Sequence, residues 1–366
     1  MDAELQAAKA ALANGQKRTE DRLLAELQAV KKSLSDIQKR SEETLNSLRI
    51  LMARERLVSC RFDRDFYQDF LLGPKDDPQF KDKFFALIDG LDEESVSTVV
   101  NGLNRLKEIR KSSSARLALL SESERQRSLE AYEGLHKQIF QLSEDCFFWK
   151  GYMLPTNQFE ECVFWDHYGL PLLEHPERIR KLDIIDAGAF IGDTALVFSS
   201  YTDGRIHSFE PDPSNYGLLE KTISMNGLSG VVPCQYALGE ASGAVTLSQR
   251  GSCSTLYEKP ECFTYRNKVQ VPMISVDEYV EKNRLQIGLI KADLEGAEQQ
   301  MLRGALRTIQ TQKPTLIISI YHNDSDFFGI KPMLEKLNLG YCFKIRHLLH
   351  VGGSVMAETV LIAEMP

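Results

Sequence analysis

Asp183–Asp193 reads DIIDAGAFIGD. Two β-branched residues lead into an acid, and two glycines, Gly188 and Gly192, bracket three small or apolar residues. This is the pattern of a buried strand that stops at a tight turn and passes into a helix. Gly188 lets the backbone turn sharply and lets a ligand lie against it. The helix that follows is expected to offer free N–H groups in its first turn. A second acid, Glu210 in HSFEPDP, lies 22 residues beyond Gly188. An acid at the end of the second strand of such a unit accepts both hydroxyls of a ribose. Together the two features indicate an adenosine-containing ligand.

Three ligand classes use this strand–turn–helix. A dinucleotide site wants G-x-G-x-x-G, because its middle glycine lets pyrophosphate approach the backbone; Phe190 stands there instead. A P-loop needs Lys and Ser/Thr after its last glycine, whereas Gly192 is followed by Asp193, an anion that repels phosphate. A nucleoside without phosphates and with a cationic far end fits better. S-adenosylmethionine, with a sulfonium and an ammonium, is such a molecule. Asp186 and Asp193 are then expected to face its cations, and Glu210 its ribose.

Two further strands end in polar residues. LIKADLEGAE, Leu289–Glu298, places Asp293 and Glu295 where a strand meets its helix, and TLIISIYHND ends with Tyr321, His322 and Asn323. Ligands of open α/β sheets lie at the carboxyl ends of the strands, so Asp293 and His322 are expected to look into the same cleft as Gly188.

The runs DAGAFIGD, FEPDP, YALGEASG, IKADLEGAEQQMLRGA and KPTLIISIYH, in this order, resemble the FkbM family of S-adenosylmethionine-dependent methyltransferases. The resemblance covers roughly Leu182 to Met365. It implies an α/β fold, a Rossmann-like class I methyltransferase sheet with helices on both faces. It also implies S-adenosylmethionine as cofactor and methyl transfer to a hydroxyl oxygen of a saccharide or related metabolite. The cofactor residues it suggests are Asp186, Gly188, Phe190, Gly192, Asp193, Glu210, Pro211 and Asp293, with Tyr236 and Ala237 beside the adenine.

O-methylation needs the acceptor held in line and its proton removed. His322 and Asp293 are the candidate bases, and the choice between them is open at this stage. Glu295, Ser252, Ser254 and Tyr321 are candidates for holding the acceptor, and Lys291 for neutralising neighbouring acids. Asp293, Asn323 and Asp324 could offer oxygen ligands to a hard ion, but no metal is expected. A dinucleotide-dependent oxidoreductase is the first rival reading, opposed by Phe190. A non-catalytic cofactor-binding scaffold working through its coiled coil is the second.

The rest of the chain sets the context. Residues 1–58 contain no proline and one glycine, Gly15. Leu27, Val30, Leu34 and Ile37 begin a seam that continues through Ser41 and Thr44 to Leu48 and Leu51, a 3.5-residue period that predicts a coiled-coil arm and homo-oligomers. Residues 59–181 read as a helical middle region ending in an aromatic connector, which either joins the halves or forms a lid. The methyltransferase domain is assigned to residues 182–366. The net charge of −8 and pI near 5.5 argue against broad nucleic-acid contact. Seven cysteines without a C-x-x-C pair indicate reduced thiols. Without a basic, apolar leader or a membrane-length apolar run, a cytoplasmic protein with no membrane span is expected.

Overall fold

The computed structural model describes residues 27–37, 39–40, 57–59, 63–64, 66–112, 116–249, 267–349 and 354–366. The chain divides into two compact units, Met1–Met52 and Ala53–Pro366. In the first, residues 27–37 are helical. Leu27, Val30, Leu34 and Ile37 are each more than half exposed. Of the remaining seam, Ser41, Thr44, Leu48 and Leu51 lie outside the described residues.

The second unit is built on a seven-stranded sheet. Its strands are β6 (Asp183–Ala187), β7 (Ile206–Phe209), β8 (Val231–Cys234), β12 (Ile287–Ala292), β13 (Thr315–Ser319), β14 (Cys342–His347) and β15 (Thr359–Glu364). Their order is β14-β15-β13-β12-β6-β7-β8. β8, β7, β6, β12 and β13 run parallel, and β15 runs antiparallel to both β13 and β14. The strand order reverses between β6 and β12, which is where such sheets bind ligands.

Both faces of the sheet are covered, so its central strands are apolar throughout rather than alternating. Ile185, Ile290, Leu316 and Ile318 enter one core, and Ile184, Leu289 and Ile317 enter the other. The helices that connect the strands include α5 (Asp193–Phe198), α6 (Pro213–Asn226), α8 (Glu298–Arg303) and α10 (Asp324–Glu335). α6 shows the expected end signals: Asp212 accepts from Ser214 N at its start, proline stands in its first turn and left-handed Gly227 closes it.

The middle region differs from the sequence reading. α1 (Phe80–Ile88) and α2 (Glu93–Lys111) form as expected, and Asp92 caps α2 by accepting from Ser95 N at 2.7 Å. Beyond α3 (Glu122–Gly134), however, comes a three-stranded antiparallel sheet of β3 (Phe140–Ser143), β4 (Cys146–Trp149) and β5 (Tyr152–Leu154). Nor is the region a separate body. Ser95 Oγ accepts from Ile345 N of β14 at 2.8 Å, while Trp149, Phe159, Phe164 and Tyr168 pack into the second core. Across the boundary expected at residue 58, β1 (Leu57–Ser59) pairs with β2 (Arg116–Ala118) within the second unit. A local seam of helix formers carries no signal for such distant pairing.

A second small sheet is formed by β10 (Gly243–Ser248), β11 (Lys268–Ile274) and β9 (Ala237–Leu238). Residues 250–266, including Ser252 and Ser254, lie outside the described residues. No helix among the described residues is long and apolar enough to cross a membrane.

Candidate active site

The site is assembled at the carboxyl ends of β6, β7, β12 and β13. After β6 the chain turns through Gly188 (φ +79°), Phe190 (φ +46°) and Gly192 (φ +85°). A Cβ on Gly188 would lie 1.9 Å from the Asp293 carbonyl oxygen. Glycine is therefore required twice, by the backbone angle and by the approach of the next loop. Gly192 supports the turn without lining the cleft: a Cβ there would meet Leu219 Cδ1 at 2.7 Å.

Glu210 follows β7 and is buried. Its carboxylate accepts Phe190 N at 3.0 Å and Asp212 N at 2.8 Å, and Asn215 Nδ2 at 3.5 Å. Burial pushes its pKa up to about 8 despite these donors. Pro211, Tyr236, Ala237 and Leu247 line the same part of the cleft. Leu247 comes from β10, so the small sheet reaches the site.

Asp186 does not face the cleft. It is fully buried, accepts Thr194 Oγ1 at 2.8 Å and Ser208 Oγ at 3.2 Å, and lies 3.3 Å from Lys291 Nζ. Lys291 donates to Gly188 O at 2.8 Å and sits over the Tyr168 ring at 5.0 Å. Burial alone would lower the Lys291 pKa, but Asp186, Asp293 and Asp193 raise it, so the amine stays charged beneath the glycine turn. Asp193, at the mouth of α5, does line the cleft, and burial lifts its pKa to about 6.

The far end of the cleft is formed by Asp293 and Glu295 after β12 and by Glu160, Val163 and Tyr168 of the aromatic connector. The connector fills the core beneath the sheet and also supplies one cleft wall. His322 lies behind Asp293 and Glu295, its side chain inaccessible to solvent. Nε2 is 3.3 Å from Asp293 Oδ1 and 3.7 Å from Glu295 Oε1, and Nδ1 is 2.9 Å from Glu298 Oε1. Burial would lower its pKa, yet Glu298 and Glu295 hold it well above the ordinary histidine value. Tyr321 turns away from the cleft and donates to Glu358 Oε1 at 3.4 Å.

Sequence reasoning missed Glu160, Glu298 and Asn215. Glu160 and Glu161 are adjacent acids in an aromatic stretch, QFEECVF, and that mismatch was the available signal. Burial, Asp193 and other nearby acids push the Glu160 pKa well above its usual range. Glu298 caps the loop before α8: it accepts Leu294 N at 2.6 Å and Gly296 N at 3.0 Å. Nothing in the sequence ties it to His322.

Residues 186–349 match the methyltransferase FkbM domain, and this part of the chain is such a domain. Methyltransferase 1 of Beauveria bassiana is 25% identical over 42% of this chain and 70% of its own length. The hexuronic acid methyltransferase AglP of Haloferax volcanii is 27% identical over 34% of this chain and 51% of its own. Among solved structures, a methyltransferase FkbM from Methylobacillus flagellatus KT aligns with a TM-score of 0.49 at 18% identity, covering 77% of this chain and 58% of that one.

Proposed function

From the premise that residues 186–349 form a methyltransferase domain, we propose that the protein transfers a methyl group from S-adenosylmethionine to a hydroxyl oxygen of a saccharide or related metabolite. The charge of the cleft is the observation that carries this reading. Glu160, Asp193, Glu210, Asp293 and Glu295 line it, against one lining cation, Lys291, among the described residues. Burial keeps Glu160 and Glu210 largely protonated in the free protein, so a ligand with two positive groups would favour their ionisation, while the pyrophosphate of a dinucleotide would oppose it.

When bound, S-adenosylmethionine supplies an electrophilic methyl group and leaves as a neutral thioether. Glu210 and the Gly188 turn would hold the adenosine, with Tyr236 and Ala237 against the purine and Asp193 and Glu160 toward the cationic end. Asp293 lines the cleft whereas His322 is sealed behind it. A base must reach the proton it takes, so Asp293 meets the acceptor hydroxyl and His322 positions Asp293. The acceptor oxygen gains the carbon as its proton passes to Asp293. Glu295 lies beside that position and would hold the acceptor. The sugar reading draws support from AglP, named for a hexuronic acid substrate.

The arm is assigned to self-association: the exposed Leu27, Val30, Leu34 and Ile37 are spaced as a two-stranded seam requires. Incubation with methyl-labelled cofactor and a panel of glycosides tests the activity. An O-methyl glycoside among the labelled products supports it, and cofactor binding with no methylated product across the panel favours the scaffold alternative.

A further inference from the structure

We propose that Asp293, Glu295 and His322 Nε2 form a binding site for one hard divalent cation, Mg²⁺ or Mn²⁺, at the acceptor end of the cleft. The existence of the site is independent of the methyl-transfer reading, and its catalytic use rests on it.

Two adjacent strands bring the three groups together. Asp293 and Glu295 follow β12 and line the cleft. His322 follows β13, and its residue is 4% exposed. Its Nε2 lies 3.3 Å from Asp293 Oδ1 and 3.7 Å from Glu295 Oε1. Adjacent donors around a small octahedral ion with bonds of about 2.1 Å stand roughly 3 Å apart. The spacings from Nε2 to the two carboxylates approach that separation.

Pairing supplies a second, independent observation. Nδ1 and Nε2 of His322 and Oδ1 of Asp293 are all buried and lack a directed hydrogen bond, although carboxylate oxygens stand within ion-pair range. Buried polar atoms are nearly always paired, and two of these, His322 Nε2 and Asp293 Oδ1, face each other at 3.3 Å. A cation between Nε2 and Oδ1 would satisfy both.

Glu298 completes the arrangement from behind. Both its oxygens already accept backbone N–H groups of Leu294 and Gly296. It therefore serves as the carboxylate that orients a metal-bound imidazole through the opposite nitrogen, which fixes the tautomer with Nε2 toward the ion. Two carboxylates to one imidazole select a hard, oxygen-preferring ion. A cation there would draw the acceptor hydroxyl onto itself and weaken its O–H bond, the proton still leaving to Asp293.

Mn²⁺ titration of the full-length, chelator-treated protein, followed by the paramagnetic resonance signal of free Mn²⁺, provides the test. The expected result is depletion of the signal to one ion per chain, with Mg²⁺ competing. Glu295→Gln and His322→Ala should each weaken binding at least tenfold, while His175→Ala, at a half-buried position outside the cleft, should not. S-adenosylhomocysteine binding in the same variants, measured without metal, reports whether the fold and the cofactor site survive. Wild-type protein that leaves the Mn²⁺ signal undiminished overturns the site, as does depletion that persists unchanged in a folded Glu295→Gln variant. Failure of the metal titration alongside normal cofactor binding would leave the methyl-transfer reading standing.

Discussion

The backbone N–H of Phe190 donates to Glu210 Oε2 at 3.0 Å, tying the glycine turn after β6 to the end of β7. The two features that decided the reading of the sequence are thus one hydrogen-bonded unit. A ribose held by Glu210 would lie directly against the turn.

Glu210 links cofactor binding to pH. In the free protein its pKa is pushed up to about 8 from an ordinary value of 4.5, chiefly by burial. The folded state therefore holds a proton that the unfolded state releases, and this contribution to stability is present below the unfolded value and lost as pH rises toward 8. Ribose hydroxyls donate to the ionised form. Binding of S-adenosylhomocysteine below pH 8 should release a proton, and affinity should rise toward that pH and then level. Calorimetry in buffers of different ionisation heat measures the release. Glu210→Gln should abolish it and weaken binding by about 1.5–3 kcal/mol, the scale of a charge-assisted hydrogen bond.

Gly188→Ala should damage both fold and site. The residue would be forced into left-handed backbone at φ +79°, with its Cβ 1.9 Å from a carbonyl oxygen. Strain of this kind costs about 1–3 kcal/mol before any clash is counted. A lower denaturation midpoint together with lost cofactor binding is expected, and wild-type values for both would show that the turn tolerates a side chain.

Lys291 is the buried counter-charge for Asp186, at 3.3 Å. Lys291→Met leaves that carboxylate uncompensated and should cost about 3–5 kcal/mol in denaturant unfolding. Adding Asp186→Asn should restore much of the loss, because the stranded charge is then gone. Equal destabilisation in the single and double variants would mean that packing, not charge, is what Lys291 provides.

His322→Ala should leave the cofactor dissociation constant within about twofold and slow turnover by roughly 10²-fold, the lower range for acid–base assistance. The ring touches Asp293 but is sealed from the cleft. Turnover at the wild-type rate would remove it from the mechanism.

Deleting residues 1–52 should lower the mass measured by light scattering and spare activity, since the exposed seam lies in that unit. An unchanged mass would refute the assignment of the arm to self-association.

The sheet is largely legible in the sequence. Its strands are buried on both faces, so LDIIDA, GLIKA and TLIIS announce themselves as short apolar runs ending in polar residues. The small sheet of β3, β4 and β5 was not legible, because FQLS and CFFW sit beside helix-forming sequence and the three strands pair only among themselves. Site residues divide in the same way. Gly188, Glu210 and Asp293 follow from strand ends, which have fixed positions in an α/β sheet. Asp186 was expected to face a cation, and it does, but the cation is Lys291 of the neighbouring strand. Strand periodicity tells which face a side chain takes and not who waits there. Glu160 and Glu298 act across loops whose paths depend on tertiary packing.

Central to the account is a cleft that recognises adenosine attached to a positively charged sulfur. Isothermal titration of the full-length protein with S-adenosylmethionine, S-adenosylhomocysteine and NADH examines this most directly. One site per chain for the first two, and no heat with NADH, is the predicted outcome. Heat with NADH and none with either sulfur compound would contradict it.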